Sequence, residues 1–294
     1  MNDKKREDGP GIFDSHAHLY SPAVVANVKR LDGLAAAIDL DVAGAERRTD
    51  KSSLMRESAA AGVKACLLLP TAPAKRVRQT NELALKTIQG ETSLFTAGTL
   101  HPSAPDMDKE LEWLGGHGVR ALKLCSFSQG FDLEAEDTIR LFGMIRDYNI
   151  SGKPRFFVVL DTFYQADRYF GAPRMFLTTP KALGRLVARF PEIDFVAAHM
   201  GGLAAPYPEI EEYLVAKNNL FLDTSNAARL LTGEQFVRLL RIHGPERVLF
   251  GTDWPWFGHE EEVTRTQMLL RQAGFSSRER FKVLCGNICR LLGI

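Results

Sequence analysis

Two histidines near the start of the chain and one aspartate near its end have the residue types and spacing of a metal site. His16 and His18 stand two residues apart after the apolar pair Ile12-Phe13, and Asp253 follows the apolar run 248–250. Residues two apart in a strand project from the same face, so both imidazoles would point at one spot. Asp253 would add a carboxylate if the last strand lies beside the first. Two imidazoles and a carboxylate around an open position are typical of a catalytic divalent cation.

Short apolar runs alternate with amphipathic stretches, and this alternation predicts the elements that must position these residues. The predicted strands are Gly11–Asp14, Val63–Leu69, Leu94–Thr99, Val119–Leu124, Arg155–Leu160, Asp194–Ala198, Leu220–Asp223 and Arg247–Phe250. The predicted helices are Ser52–Ala61, Val77–Ile88, Met107–Gly116, Glu136–Tyr148, Pro180–Phe190, Glu209–Lys217, Glu234–His243, Glu260–Gln272 and Ser277–Leu292. Eight strand–helix alternations with almost wholly apolar strands predict an α/β fold, a single-domain (β/α)8 TIM barrel rather than an open sheet.

Two segments exceed what a minimal barrel needs. We expect insertions after the first strand, at Ser21–Thr49, and after the fifth strand, at Thr162–Thr179. Polar residues stand at the carboxyl ends of the predicted strands, where barrel enzymes place their chemistry. These residues are His16, His18, Lys123, Asp161, His199, Asp223 and Asp253.

Composition restricts the classes of protein. The 294 residues carry a net charge of +1, so no basic surface for nucleic acid or membrane is expected. No apolar run approaches the roughly 20 residues that span a bilayer. We expect a flexible N-terminal tail over residues 1–10, one barrel domain over residues 11–294, four reduced cysteines and a cytoplasmic location.

Four segments in order along the chain resemble a known family. From Ile12 to Gly293 the chain resembles the amidohydrolase superfamily, in its amidohydrolase-related branch of metal-dependent barrel hydrolases and decarboxylases. The resemblance implies a metal-dependent enzyme that acts on a small molecule. The matching segments are Asp14-Ser15-His16-Ala17-His18-Leu19, Ala198-His199-Met200-Gly201-Gly202, Phe250-Gly251-Thr252-Asp253-Trp254-Pro255 and Gly286-Asn287-Ile288-Cys289-Arg290-Leu291-Leu292-Gly293.

One residue departs from the pattern that the branch shows. Asp161 stands at the end of the fifth predicted strand, where a metal-ligating histidine is due. A carboxylate shifts the preference towards harder ions. We therefore expect one divalent ion, with Zn²⁺ as the first choice and Mn²⁺ or Mg²⁺ as the alternatives. Asp161 is either a ligand or a partner that orients a ligating histidine.

The predicted metal ligands are His16, His18, Asp253 and Asp161. Asp253 would also take a proton from the bound water. His199 would act as a general acid or stabilise an oxyanion, or it would instead complete the metal shell. The alternatives from the residues alone are a helix cap at Asp253 and a buried, backbone-bonded histidine at position 199.

Four further residues are predicted to bind the substrate. Lys123 lies in an apolar strand and would neutralise a substrate carboxylate, or pair with Asp161. Arg168 and Arg174 lie in the insertion after the fifth strand and would bind an anion from a lid. Trp254 would form a pocket wall, although such aromatics are as often part of the core.

Three functions remain open at this point. The first is a hydrolase in which metal-activated water attacks an amide, ester or lactone carbonyl of a small anionic substrate. The second is a lyase, a non-oxidative decarboxylase or hydratase, at the same metal site. The third is a catalytically inactive barrel that serves as a binding protein. A homodimer is an open alternative to a monomer.

Overall fold

The computed structural model describes residues 11–294, so the expected N-terminal tail lies outside the described residues. Nine strands form where the apolar runs were found, and their residues are almost entirely buried. The strands are β1 (Ile12–Ala17), β2 (Val63–Leu68), β3 (Leu94–Thr96), β4 (Gly98–Thr99), β5 (Ala121–Leu124), β6 (Phe157–Leu160), β7 (Asp194–Ala197), β8 (Leu220–Asp223) and β9 (Val248–Leu249).

All strand pairs are parallel and follow chain order, in one sheet of β1–β3 and one of β4–β9. The predicted strand Leu94–Thr99 is divided at Ala97, whose amide donates to the Leu68 carbonyl at 2.8 Å. On the edge of β1 that does not pair with β2, the Ser15 amide donates to the Phe250 carbonyl at 2.8 Å. The Asp253 amide donates to the His16 carbonyl at 2.9 Å, so the first and last strands lie side by side. The TIM-barrel fold is therefore confirmed.

Helices pack around this ring because each presents an apolar stripe to the outward side chains of the strands. Of the described residues, the longest helix is Glu136–Ile150, and none is long and apolar enough to cross a membrane. The α-helices are Pro22–Lys29, Leu34–Ala37, Val42–Ala45, Lys51–Ala60, Val77–Ile88, Met107–Gly116, Ser126–Gln129, Glu136–Ile150, Ala166–Phe170, Pro180–Arg189, Tyr207–Tyr213, Gly233–His243, His259–Gln272, Ser277–Phe281 and Asn287–Leu292. Single turns of 3-10 helix lie at Ala74–Arg76, Arg174–Phe176, His199–Gly201 and Ala227–Arg229, and a π-helical turn at Lys282–Gly286 interrupts the predicted last helix.

Both predicted insertions fold over the mouth of the barrel. The first contains three short helices, beginning with Pro22–Lys29, and the second contains Ala166–Phe170. Their apolar side chains share one buried cluster, in which Val25 and Leu34 pack with Phe163 and Trp256. The insertions therefore form one apolar cap above the carboxyl ends of the strands.

Candidate metal centre

His16, His18 and Asp253 converge at the mouth of the barrel, as their spacing predicts. The His16 Nε2 and His18 Nε2 atoms are 3.1 Å apart. Asp253 Oδ1 lies 3.8 Å from the first of these nitrogens and 3.4 Å from the second. Gly251 permits this approach, because a Cβ at this position would lie 2.7 Å from the His16 Cβ.

The second ring nitrogen of each histidine fixes where its proton lies. His18 Nδ1 is 3.0 Å from the carbonyl oxygen of Leu69, which can only accept a hydrogen bond. His16 Nδ1 is 2.9 Å from Asp223 Oδ2. Both Nδ1 atoms therefore donate, and both Nε2 atoms face each other with lone pairs. Two lone pairs at this distance repel unless a cation lies between them, and outer hydrogen bonds of this kind orient metal-bound imidazoles.

The three donor atoms have the separation that a metal ion requires. Ligands about 2.0–2.1 Å from a tetrahedral ion lie about 3.4 Å from one another. The separations of 3.1, 3.4 and 3.8 Å bracket this value. His16, His18 and Asp253 therefore fit a divalent cation with a further position open to the cavity.

The electrostatics of the centre favour the ligand forms of these residues. Burial lowers the pKa of His16, although Asp223 opposes it, so the imidazole is neutral at pH 7. Burial acts to raise the pKa of Asp253, but the contact with His18 and the positive charge of His199 outweigh it and lower the pKa. Neutral imidazole and ionised carboxylate are the forms that bind a cation.

Lys123, Asp161 and His199 form a second group beside the three donors. Asp161 Oδ2 lies 3.5 Å from Lys123 Nζ and 3.8 Å from His199 Nε2. Burial acts to raise the pKa of Asp161, but Lys123 and His199 outweigh it and hold the pKa well below its usual value. Asp161 thus faces two cationic groups, and it is not among the described residues whose donor atoms cluster with His16 and His18. Its role as a metal ligand stays a prediction.

His199 is held as an imidazolium. Burial acts to lower its pKa, but the hydrogen bond with Asp161 and the charge of Asp253 raise the pKa to about 9. Its Nδ1 donates to the Ser225 carbonyl at 2.9 Å, which leaves the Nε2 proton directed towards Asp161 and the cavity. His199 and Asp253 both adopt left-handed backbone angles, with φ of 56° and 64°. Such strained positions in non-glycine residues are concentrated at functional sites.

Asp223 and Ser225 support the centre from behind, a role that the sequence did not predict. Asp223 accepts hydrogen bonds from His16 Nδ1 and, at 3.0 Å, from the His199 amide. The Ser225 hydroxyl also donates to Asp223. Burial acts to raise the pKa of Asp223, but the hydrogen-bonded contact with His16 and the charge of His199 outweigh it and lower the pKa. One carboxylate therefore orients a metal ligand and the 3-10 turn that carries His199.

A second supporting group, on the outer side of β1, was missed by sequence reasoning. Asp14 Oδ1 accepts the amides of His16 and Thr252, each at 3.0 Å, and Asp14 Oδ2 accepts the Thr252 hydroxyl at 2.6 Å. The His259 Nε2 atom lies 3.1 Å from the same carboxylate. Asp14 therefore ties the segment of His16 to the segment of Asp253.

A cavity of about 760 Å³ opens onto the centre. His18, Lys123, Asp161, His199 and Asp253 line its inner end, so most of the predicted site residues share one space.

The remaining three predicted substrate residues lie elsewhere. Trp254 is fully buried in the outer core, and it is Trp256 that lines the cavity. Arg174 is exposed and pairs with Asp167, while Arg168 lies over the Tyr169 ring. Neither arginine lines the cavity, and both side chains are exposed.

The sequence matches the family model described as amidohydrolase over residues 13–294. The chain therefore belongs to the amidohydrolase family, and the resemblance found from its motifs is confirmed. No curated protein has significant sequence similarity to this chain.

Solved structures with the same fold cover almost the whole chain. A manganese complex of 5-carboxyvanillate decarboxylase from Novosphingobium aromaticivorans has a TM-score of 0.70 at 15% identity, covering 98% of this chain and 97% of that one. A putative 2-pyrone-4,6-dicarboxylic acid hydrolase from Pseudomonas putida has a TM-score of 0.62 at 20% identity, covering 97% and 98%. An uncharacterised TIM-barrel protein from Bordetella bronchiseptica has a TM-score of 0.73 at 18% identity, covering 96% and 98%. At these identities the likeness establishes the fold.

Proposed function

We propose that the protein is a metal-dependent hydrolase that adds water to an amide, ester or lactone carbonyl of a small anionic substrate. The observation that carries the proposal is the pair of Nε2 atoms of His16 and His18, 3.1 Å apart with both Nδ1 atoms donating elsewhere. A divalent cation, when bound there, lowers the pKa of a water molecule to about 7 and polarises the substrate carbonyl.

The other residues of the cavity supply the remaining steps. Asp253 is ionised and accepts a proton from the attacking water. His199 carries a proton at neutral pH, so its Nε2 stabilises the oxyanion and then protonates the leaving group. Lys123 is buried, and its Nζ has no hydrogen-bond partner among the described residues. A substrate carboxylate would accept a hydrogen bond from this Nζ.

The donor set bears on the identity of the metal. Two imidazoles with one carboxylate suit Zn²⁺, which we take as the first choice. Mn²⁺ is the alternative, because Asp161 places further carboxylate oxygens beside the centre. The cysteines of the described residues are free thiols, which agrees with the cytoplasmic location we propose.

A decarboxylase is the second candidate, and a specific pair of observations favours it. Lys123 can hold a carboxylate in the cavity, and His199 carries the proton that must replace it. In that reaction the bond between the carboxylate and its carbon breaks, CO2 leaves, and the carbon takes the proton.

A panel of lactones, amides and hydroxybenzoates separates these candidates. The chelator-treated protein is reloaded with Zn²⁺ or Mn²⁺, and product acid and CO2 are measured together. The hydrolase proposal expects a new carboxylate from a lactone or amide without release of CO2. Release of CO2 without consumption of water contradicts the hydrolase and supports the lyase.

The role of Lys123 has its own test. Lys123→Met should raise KM for an anionic ester by about tenfold or more, since a charge-assisted hydrogen bond is lost. A neutral ester of the same size should show no such rise, and Lys64→Met provides a control on the surface. An equal rise for both esters would contradict an anion-binding role.

A further inference from the structure

The cavity is much longer than the metal centre and changes character along its length. Its inner end carries the charged and titratable side chains that surround the metal centre. Its outer end runs between the first insertion and the helix Val77–Ile88. The walls at this outer end are apolar, and they include Val24, Val28, Leu34, Leu40, Leu83 and Ala84.

The helix Val77–Ile88 turns one face towards this outer end. The cavity-lining residues of that helix are Thr80, Leu83, Ala84 and Thr87. They recur at the i, i+3, i+4 and i+7 positions of a single helical face. The helix buries only Val77 and Asn81. This face is therefore left uncovered alongside the cavity.

Exposed apolar side chains are concentrated at the same opening. Leu83 is 62% exposed, Phe170 43% and Val24 39%, and all three line the cavity. Scattered exposed apolar residues need no explanation, but a group around one concave opening is typical of a ligand-binding groove.

Size and charge restrict what would fill this groove. The volume of about 760 Å³ lies in the upper half of the roughly 300–1,000 Å³ range of pockets that enclose drug-sized ligands. An acid with a single ring, bound at the metal centre, would leave the apolar walls of the outer end exposed to water. Among the described residues that line the cavity, Lys123 is the one lysine or arginine. Its Nζ has no hydrogen-bond partner among the described residues, so the lining offers one position for a substrate carboxylate beside the metal centre rather than two.

We propose that the substrate is an amphipathic monoacid with an extended apolar arm. Its polar end lies at the metal centre and Lys123, and an alkyl chain or second ring runs along Leu34 and Leu83. The inference rests on the proposed function for the orientation of the substrate, while the arm itself rests on the apolar walls. It sets the substrate class apart from small dicarboxylates.

Binding of a series of para-n-alkylbenzoates, from methyl to hexyl, tests the arm by titration calorimetry. Affinity should rise by up to about fourfold per added methylene, which corresponds to about 0.8 kcal/mol per buried CH2. Leu83→Asn should flatten this rise. Ile150→Asn is the matched control, because Ile150 is 63% exposed but lies on the helix Glu136–Ile150, away from the cavity.

The outcomes separate the arm from the proposed function. A rise in affinity that Leu83→Asn flattens and Ile150→Asn does not supports the arm, whether or not any substrate turns over. A flat series overturns the arm, even if the metal-loaded protein hydrolyses small lactones. Analytical sedimentation shows whether Leu83→Asn converts a dimer into monomers. If it does, and affinity also does not change along the alkyl series, a second copy of the chain covers the groove and the proposal is overturned.

Discussion

Two clusters of histidine and carboxylate lie on opposite sides of β1 and have very different surroundings. The inner cluster is His16, His18 and Asp253, and the outer cluster is Asp14, Cys66 and His259. In each, three donor atoms lie within 4.8 Å of one another. Residue type and distance alone would rate both as metal sites.

The difference lies in what the donor atoms already bind. The Asp14 oxygens already accept hydrogen bonds from two backbone amides and a hydroxyl. Both Asp14 and His259 are buried away from the cavity. In the inner cluster the Nε2 lone pairs remain free, and His18 and Asp253 line a cavity. A metal site therefore requires donor atoms with free lone pairs and an opening to a cavity, as well as suitable residue types. The outer cluster holds the inner one in place.

The largest effect should follow from removal of an inner ligand. We expect His16→Ala to fold but to lose most of its bound metal and to lower kcat/KM by more than about 10³. The reason is that it removes both the activated water and the electrophile, whereas a single oxyanion donor accounts for about 10²–10³. Elemental analysis and kinetics measure both.

His101→Ala is the matched control for that variant. His101 is also buried, and its Nε2 bonds to the Gln129 carbonyl at 2.9 Å, outside the centre. Its metal content should be unchanged. Full metal content and turnover in His16→Ala would contradict the ligand assignment.

The next largest effect should follow from His199→Gln. We expect kcat to fall by about 10²–10³, because the donor to the oxyanion is lost, while metal content stays at the level of the unchanged protein. Parallel measurement of kcat and bound metal distinguishes the two roles open to this residue. Loss of metal along with activity would make His199 a ligand instead.

The outer cluster should affect metal binding without holding the metal. Asp14→Asn keeps one carbonyl oxygen for the two amides but loses the charge that faces His259. We expect the Kd for Zn²⁺ to rise by about 10–100-fold, the range found for outer partners of metal ligands. Competition with a chromogenic chelator measures it. An unchanged Kd for Zn²⁺ in a folded variant would show that the outer cluster does not affect metal binding at the inner one.

Asp161 should act on the proton of His199. In the metal-free protein His199 has a pKa of about 9, and the carboxylate of Asp161 is one cause. Asp161→Asn removes an anion that favours the imidazolium, so the pKa of His199 should move down towards 6.5. NMR titration of the labelled imidazoles, with His199→Gln for assignment, would show it. A midpoint that stays near 9 would contradict the pairing.

The smallest effect is expected at Cys66. Its Sγ lies 3.9 Å from His259 Nε2, although Asp14 already occupies that nitrogen at 3.1 Å. Cys66→Ala should leave metal content and Kd unchanged and lower the free energy of unfolding by about 1 kcal/mol. Metal lost from this variant would show that the outer cluster binds an ion.

The inner cluster could be predicted from sequence because strand geometry links residue spacing to direction. His16 and His18 are two apart, and Asp253 follows a strand that the barrel must place beside the first. The outer cluster could not be predicted, since Asp14 and His259 are 245 positions apart in the printed sequence and no periodicity relates them.

The three predicted substrate residues that do not line the cavity lie in segments where regular geometry ends. Asp253 leaves the extended conformation with a φ of 64°, so Trp254 turns into the core and Trp256 reaches the cavity. The insertion after β6 that carries Arg168 and Arg174 has no periodic pattern from which side-chain direction could be predicted. The barrel itself was predictable because alternation of apolar runs and amphipathic helices survives a break such as that at Ala97.

An anomalous difference map from crystals grown with Zn²⁺ or Mn²⁺ tests the central claim most directly. The account predicts one peak about 2.0–2.2 Å from the Nε2 atoms of His16 and His18 and from the Asp253 carboxylate. A peak among Asp14, Cys66 and His259 instead, or none at either cluster at saturating metal, would contradict it and favour the inactive barrel.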